Sequence, residues 1–179
     1  MPKLVVTNSK GLFQKAGTGG AVGLERVVYV EDTIAAAPGN NDTSVDIPAN
    51  SLITEIGFVV IDKLQKTGSG TDLNIGYTVG NSAGGADYVA SAVDNIVDGS
   101  DPGLVAGTAF ILNVCSGTAT ARPDATTDAL IKADAPLFST SARTIHLRII
   151  IDTATLSQAG KVIHYVKYTT LDTSESAGV

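Results

Sequence analysis

Apolar residues recur at every second position through much of this chain. Between Asp46 and Gly80, Ile56, Phe58 and Val60 alternate with Gly57, Val59 and Ile61, and Leu73, Ile75, Tyr77 and Val79 alternate with Asn74, Gly76 and Thr78. A period of two, with β-branched and aromatic enrichment, predicts β-strands. Lys66, Thr67, Gly68, Ser69 and Gly70 lie between the two runs and read as a turn, so the runs are expected to pair as an antiparallel hairpin. The first run is apolar at both parities, which predicts a central strand covered on both faces.

The same reading extends along the chain. Leu24 to Asp32 predicts a strand, and Ala35 to Thr43, with Pro38-Gly39-Asn40-Asn41-Asp42, a loop. Ser44 to Ile47 is a short extended piece closed by Pro48, which cannot donate to a ladder. Tyr88 to Val97 places Val89, Val93, Ile96 and Val97 near helical spacing and predicts a short helix or an irregular crossing. Thr108 to Cys115 is a strand with Phe110, Leu112 and Val114 opposite Ala109 and Ile111. Asp128 to Lys132 is a short strand or turn between two loops. Ile145, Leu147, Ile149 and Ile151 then face one way and His146 and Arg148 the other, and Lys161 to Thr170 forms the last strand. About eight short strands without a long amphipathic helix exclude a βαβ architecture. They predict an all-β, two-sheet antiparallel β-sandwich, jelly-roll-like because the Cys…Trp…Cys pattern of immunoglobulin domains is absent.

Residues 1–23 stand apart as an extended N-terminal arm, ahead of a sandwich domain over 24–171 and a polar tail over 172–179. In the arm, Leu4, Val5 and Val6 could form a strand and Leu12 and Phe13 an anchor, and five glycines fall between Gly11 and Gly23. Those glycines are not a phosphate loop. No Lys-Ser or Lys-Thr pair follows them, and Val22 occupies the position where a dinucleotide fingerprint needs glycine.

Composition narrows the function classes. The formal charge is −6, and Lys3, Lys10 and Lys15 are the only basic grouping. Nucleic acid and anionic membrane are therefore not expected partners. Cys115 is the single cysteine, which excludes an intrachain disulfide and reads as a small core residue. The N-terminus has no apolar run of signal-peptide type, and no run approaches the roughly 18 apolar residues of a membrane helix. The chain is expected to be soluble and made in a host cytoplasm.

Candidate chemistry is sparse. Asp94, Asp98 and Asp101 lack the register and terminal Glu of an EF-hand and read as turn caps. His146 and His164 are the only histidines; they could share a metal if their strands paired, but a jelly roll puts those strands in different sheets. They read as surface or interface histidines. No Ser sits in a G-x-S-x-G elbow, and the carboxylate pairs Glu31-Asp32 and Asp124/Asp128 read as solvated. Tyr29, Tyr77, Tyr88, Tyr165 and Tyr168 are the only aromatics suited to stacking sugars, without Trp. No enzyme activity, cofactor or metal is expected.

The stretch I-P-A-N-S-L-I-T-E-I-G-F-V-V-I (Ile47 to Ile61), followed by T-G-S-G-T-D-L-N-I-G (Thr67 to Gly76), resembles the β-sandwich head decoration, or capsid cement, proteins of tailed bacteriophages. The opening L-V-V-T-N-S-K-G-L-F-Q-K-A-G (Leu4 to Gly17) is similar to the arms such proteins carry. The resemblance covers about the first two-thirds of the chain. It implies a virion structural protein on the outer capsid surface, a homotrimer that bridges neighbouring copies of the major capsid protein. Leu4, Val5, Val6, Leu12 and Phe13 would supply capsid contacts. The rival readings are a receptor- or glycan-binding module of a virion fibre or tail, and a hydrolase on a sandwich scaffold using Asp124 or Asp128.

Overall fold

The computed structural model describes residues 3–7, 11–15, 22–67, 72–89, 96–97, 99, 103–113, 118–120 and 135–171. The strands are β1 (Lys3–Thr7), β2 (Gly11–Lys15), β3 (Val22–Ile34), β4 (Gly39–Ile47), β5 (Ser51–Asp62), β6 (Leu64–Gln65), β7 (Asn74–Gly80), β8 (Gly103–Leu104), β9 (Ala109–Asn113), β10 (Thr118–Thr120), β11 (Phe138–Ser139), β12 (Arg143–Asp152) and β13 (Gly160–Leu171). No helix occurs among the described residues.

Two sheets carry the fold. The large one has the order β1-β2-β3-β13-β5-β9-β10, with β11 also on β5, and the small one the order β4-β12-β7; a two-stranded pair, β6-β8, stands beside them. Every pairing within them is antiparallel. Along the chain the long strands change sheet at each step: β3, β5, β9 and β13 in the large sheet, β4, β7 and β12 in the small one. This interleaving of a β3-β13-β5-β9 sheet with a β4-β12-β7 sheet is jelly-roll topology.

The core fills the space between the sheets. β12 buries Ile145, Leu147, Ile149 and Ile151, β5 buries Ile53, Ile56, Phe58 and Val60, and β7 buries Ile75, Tyr77 and Val79. Phe58 lies with its ring centroid 5.0 Å from Tyr77 and 5.6 Å from Phe110, and Tyr77 meets Phe110 edge-on at 5.5 Å. Three rings from three strands thus pin one sheet to the other, in the offset and edge geometries that aromatic quadrupoles favour.

Several expectations are corrected here. The runs around Phe58 and Tyr77 are not a hairpin, because β5 and β7 lie in opposite sheets and face each other across the core. The chain between them crosses the sandwich, and Leu64 pairs with Leu104 on the way. Residues 39–43 are strand, not loop. β12 supplies a ladder from Gly39↔Ile151 to Ile47↔Arg143, so backbone pairing overrides the polar composition of this segment. The described part of the Tyr88–Val97 stretch bridges β7 at Val79↔Val89 and Ile75↔Val97. β5 is central, between β13 and β9, but only its inner face is covered by the described residues. Within residues 1–23, β1 and β2 form a hairpin that joins β3 at Phe13↔Gly23 and Gln14↔Val22. Asp94, Asp98, Asp101, Cys115, Asp124, the Asp128–Lys132 stretch and the C-terminal tail lie outside the described residues.

Candidate interaction surface

The two outer faces of the sandwich differ in chemistry. On the small sheet, alternation turns Asp42, Ser44, Asp46, Thr144, His146 and Arg148 outward, around a bidentate pair of Arg148 with Asp42 at 2.7 and 3.1 Å. Thr144 donates to Asp46 Oδ1 at 2.7 Å. This is an ordinary hydrated face.

The large sheet presents Val27 and Tyr29 from β3, Val59 from β5, Ile111 from β9, and Ile163 and Tyr165 from β13, lining one shallow groove with Glu55 and Lys167. Tyr29 is 68% exposed, Val27 54% and Ile111 39%. Register explains their proximity. Tyr165 is opposite Tyr29 on one side and Gly57 on the other, and Gly57 is opposite Ile111. Gly57 is required by this arrangement. A Cβ there would overlap the Phe110 carbonyl oxygen and sit 2.7 Å from Tyr165 Oη. The missing side chain lets Tyr165 lie across the sheet, where its hydroxyl donates to Glu55 Oε1 at 2.9 Å. Burial, then this bond to Glu55, pushes the Tyr165 phenol far up.

Charges frame the apolar strip. Lys167 Nζ is 2.8 Å from Glu55 Oε1, and Lys161 Nζ is 2.8 Å from Glu31 Oε1. Each carboxylate, through its hydrogen bond, raises the pKa of its lysine. Being at the surface and screened by water, such pairs contribute little to stability. Their larger effect is to set which partners the face admits.

The Tyr165 shift gives a pH prediction. Below pH 10, the ordinary phenol value, Tyr165 is neutral folded or unfolded, and its contribution to stability is intact. Above that the unfolded chain ionises first, so stability falls as pH rises toward the folded value. Tyr165→Phe should therefore lose less stability than the wild type between pH 10 and about 12 in urea titrations. Tyr77, which burial also raises, keeps some alkaline slope in both proteins. Parallel slopes would show that Tyr165 is not the titrating group.

Sequence-predicted site residues are scattered. Leu4, Val5 and Val6 are in β1, and Leu12 and Phe13 in β2, with Val5↔Phe13 and Val6↔Leu12 as register partners. His146 and His164 lie in different sheets, as a jelly roll requires, but His164 is not a surface residue. It is fully buried, stacked on Tyr77 at 5.8 Å, with Nδ1 3.5 Å from Tyr77 Oη and Nε2 3.6 Å from Asp32 Oδ2. A group with no exposed surface cannot meet a substrate. Glu31 and Asp32 also part company, Glu31 turning out to Lys161 and Asp32 in to His164. No cluster of three or more His, Cys, Asp or Glu side chains suited to a metal occurs among the described residues.

The fold is thus a jelly-roll sandwich with one polar and one apolar outer face. No family model matches the sequence, and no curated protein matches it. Among solved structures, the chain is similar to one in the cyanophage Pam1 capsid asymmetric unit, at 18% identity and a TM-score of 0.40, over 87% of this chain and 89% of that one. It is also similar to a chain of infectious bursal disease virus, Gx strain, at 13% identity and a TM-score of 0.25. That match covers 96% of this chain but only 45% of the viral one. The fold assignment rests on the strand order and not on these likenesses.

Proposed function

We propose that this chain is a virion structural protein that decorates a phage capsid, bridging neighbouring capsid subunits at the outer surface as a homotrimer. One observation carries the reading: the large sheet turns an apolar face, with Tyr29 and Val27 mostly exposed, to the outside, while the small sheet is polar. An apolar strip framed by charges on an otherwise hydrated domain is the signature of a protein contact. The decoration-protein resemblance of Ile47–Ile61 and Thr67–Gly76 supplies the class of assembly. The hairpin continues the same sheet, and Leu4, Val5, Val6, Leu12 and Phe13 are its proposed contribution to contacts in the assembled shell. Several weak contacts per oligomer then act together through effective concentration.

The test is co-sedimentation with capsids of the cognate phage. The full chain should pellet with capsids and raise their melting temperature. A chain beginning at Val22 should keep its β-type circular dichroism yet bind at least tenfold more weakly. Undiminished binding would remove the hairpin from the interface, and no binding by the full chain would overturn the decoration role. A second reading, a glycan-binding module, is favoured by one feature: Tyr29 and Tyr165 are cross-strand partners on the exposed face. Retention on a glycan array that Tyr29→Ala abolishes would establish it instead.

A further inference from the structure

The charges around the apolar face are unbalanced in a patterned way. At one end Lys167 is held between Glu55, at 2.8 Å, and Glu25, which acts on it through space. At the other end Lys161 lies between Glu31, at 2.8 Å, and Asp62. Each end therefore has two carboxylates to one lysine. The lysines are six residues apart on β13, about 20 Å along the strand. The face thus fits an apolar segment of strand length that carries cationic groups.

This chain contains such a segment. Three of its twelve basic residues, Lys3, Lys10 and Lys15, and none of its eighteen acidic ones precede Glu25. The remainder has nine basic against eighteen acidic residues, so a cationic hairpin is attached to a strongly acidic body. The hairpin is short, with Leu4, Val5, Val6, Leu12 and Phe13 between its lysines. Its attachment to its own sheet, at Phe13↔Gly23 and Gln14↔Val22, is slight beside the ladder between β3 and β13. Lys3 and Lys15 are register partners in it.

We propose that the outer face of the large sheet receives the β1–β2 hairpin of a second copy, joining copies head to tail. Apolar residues of the hairpin cover Tyr29, Val59 and Ile111, and its lysines meet Glu25 and Glu31. A face-to-face dimer is disfavoured because it opposes two rims of net negative charge. A head-to-tail contact closes into a ring when its rotation allows, and closure on three would yield the homotrimer. This deepens the homotrimer of the proposed function and rests on that part of it, not on capsid binding.

The experiment is sedimentation equilibrium on the full chain with two double variants, K3E/K15E and E25K/E31K. The wild type should self-associate, more weakly as salt rises. Each variant alone should associate at least tenfold more weakly, and an equal mixture should regain pairwise association, because each hairpin then meets a face of opposite charge; a ring of three keeps one like-charged contact, so recovery of the closed oligomer is partial. The neutral pairs K3Q/K15Q and E25Q/E31Q should lie in between, and they carry the test if a reversed variant fails its circular dichroism check. A monomeric wild type overturns the proposal, as does association indifferent to the hairpin charges or a mixture without rescue. Capsid binding measured in parallel separates the two readings: monomers that bind capsids overturn this contact and the trimeric state but leave the decoration role, and oligomers that ignore capsids overturn only the decoration role.

Discussion

Replacing Phe58 with alanine should lower the free energy of unfolding by about 3–5 kcal/mol. Phe58 is fully buried near the middle of β5, in contact with Tyr77, Phe110 and His164. Its removal forfeits the transfer energy of a benzyl group and leaves a cavity between the sheets. The cavity cannot collapse easily, because the surrounding rings sit on backbones fixed by ladders: Tyr77 by β12 and Phe110 by β5. Urea denaturation monitored by circular dichroism measures the loss. A change below about 1 kcal/mol would mean that the two sheets are not held together through these rings.

Gly57→Val should cost about 2–3 kcal/mol by overpacking and should also disable the outer face. The new side chain would collide with the Phe110 carbonyl, which belongs to the β5–β9 ladder, and with Tyr165 Oη. Relief requires either moving β9 away or lifting Tyr165 off Glu55, and the second breaks a 2.9 Å hydrogen bond. The same urea measurement reads the first effect, and sedimentation of the variant reads the second. Full stability with full self-association would show that the sheet accommodates a side chain at position 57.

The sequence made strand identity and parity legible, because both follow from local alternation. The inward set Ile145, Leu147, Ile149 and Ile151 could be read directly, as could the opposition of Phe110 and Leu112 to Ile111. Pairing partners could not. A turn-like segment after β5 suggests a hairpin, but periodicity is silent on whether the next strand lies beside its predecessor or across a core from it. The first half of β4, residues 39–43, was hidden because its ladder with β12 depends on residues more than a hundred positions away. His164 was misjudged by weighing its polarity above its parity: it shares alternation with Val162 and Val166, both buried. The interaction surface was legible only in part. Val27 and Tyr29 sit in the continuous apolar run V-V-Y-V, which announces two apolar faces but not that Ile111 and Tyr165 would assemble beside them.

The position of β13 has a consequence for how the protein comes into being. It is the last strand described, yet it lies between β3 and β5 at the centre of the large sheet. Until it arrives, β3 and β5 each have an unsatisfied edge, and the core lacks Val162, His164 and Val166. Such distant pairing puts the domain among the slow folders, on the order of milliseconds to seconds. The nascent chain must therefore remain unfinished, and exposed to misassociation, until residue 171 has cleared the ribosome.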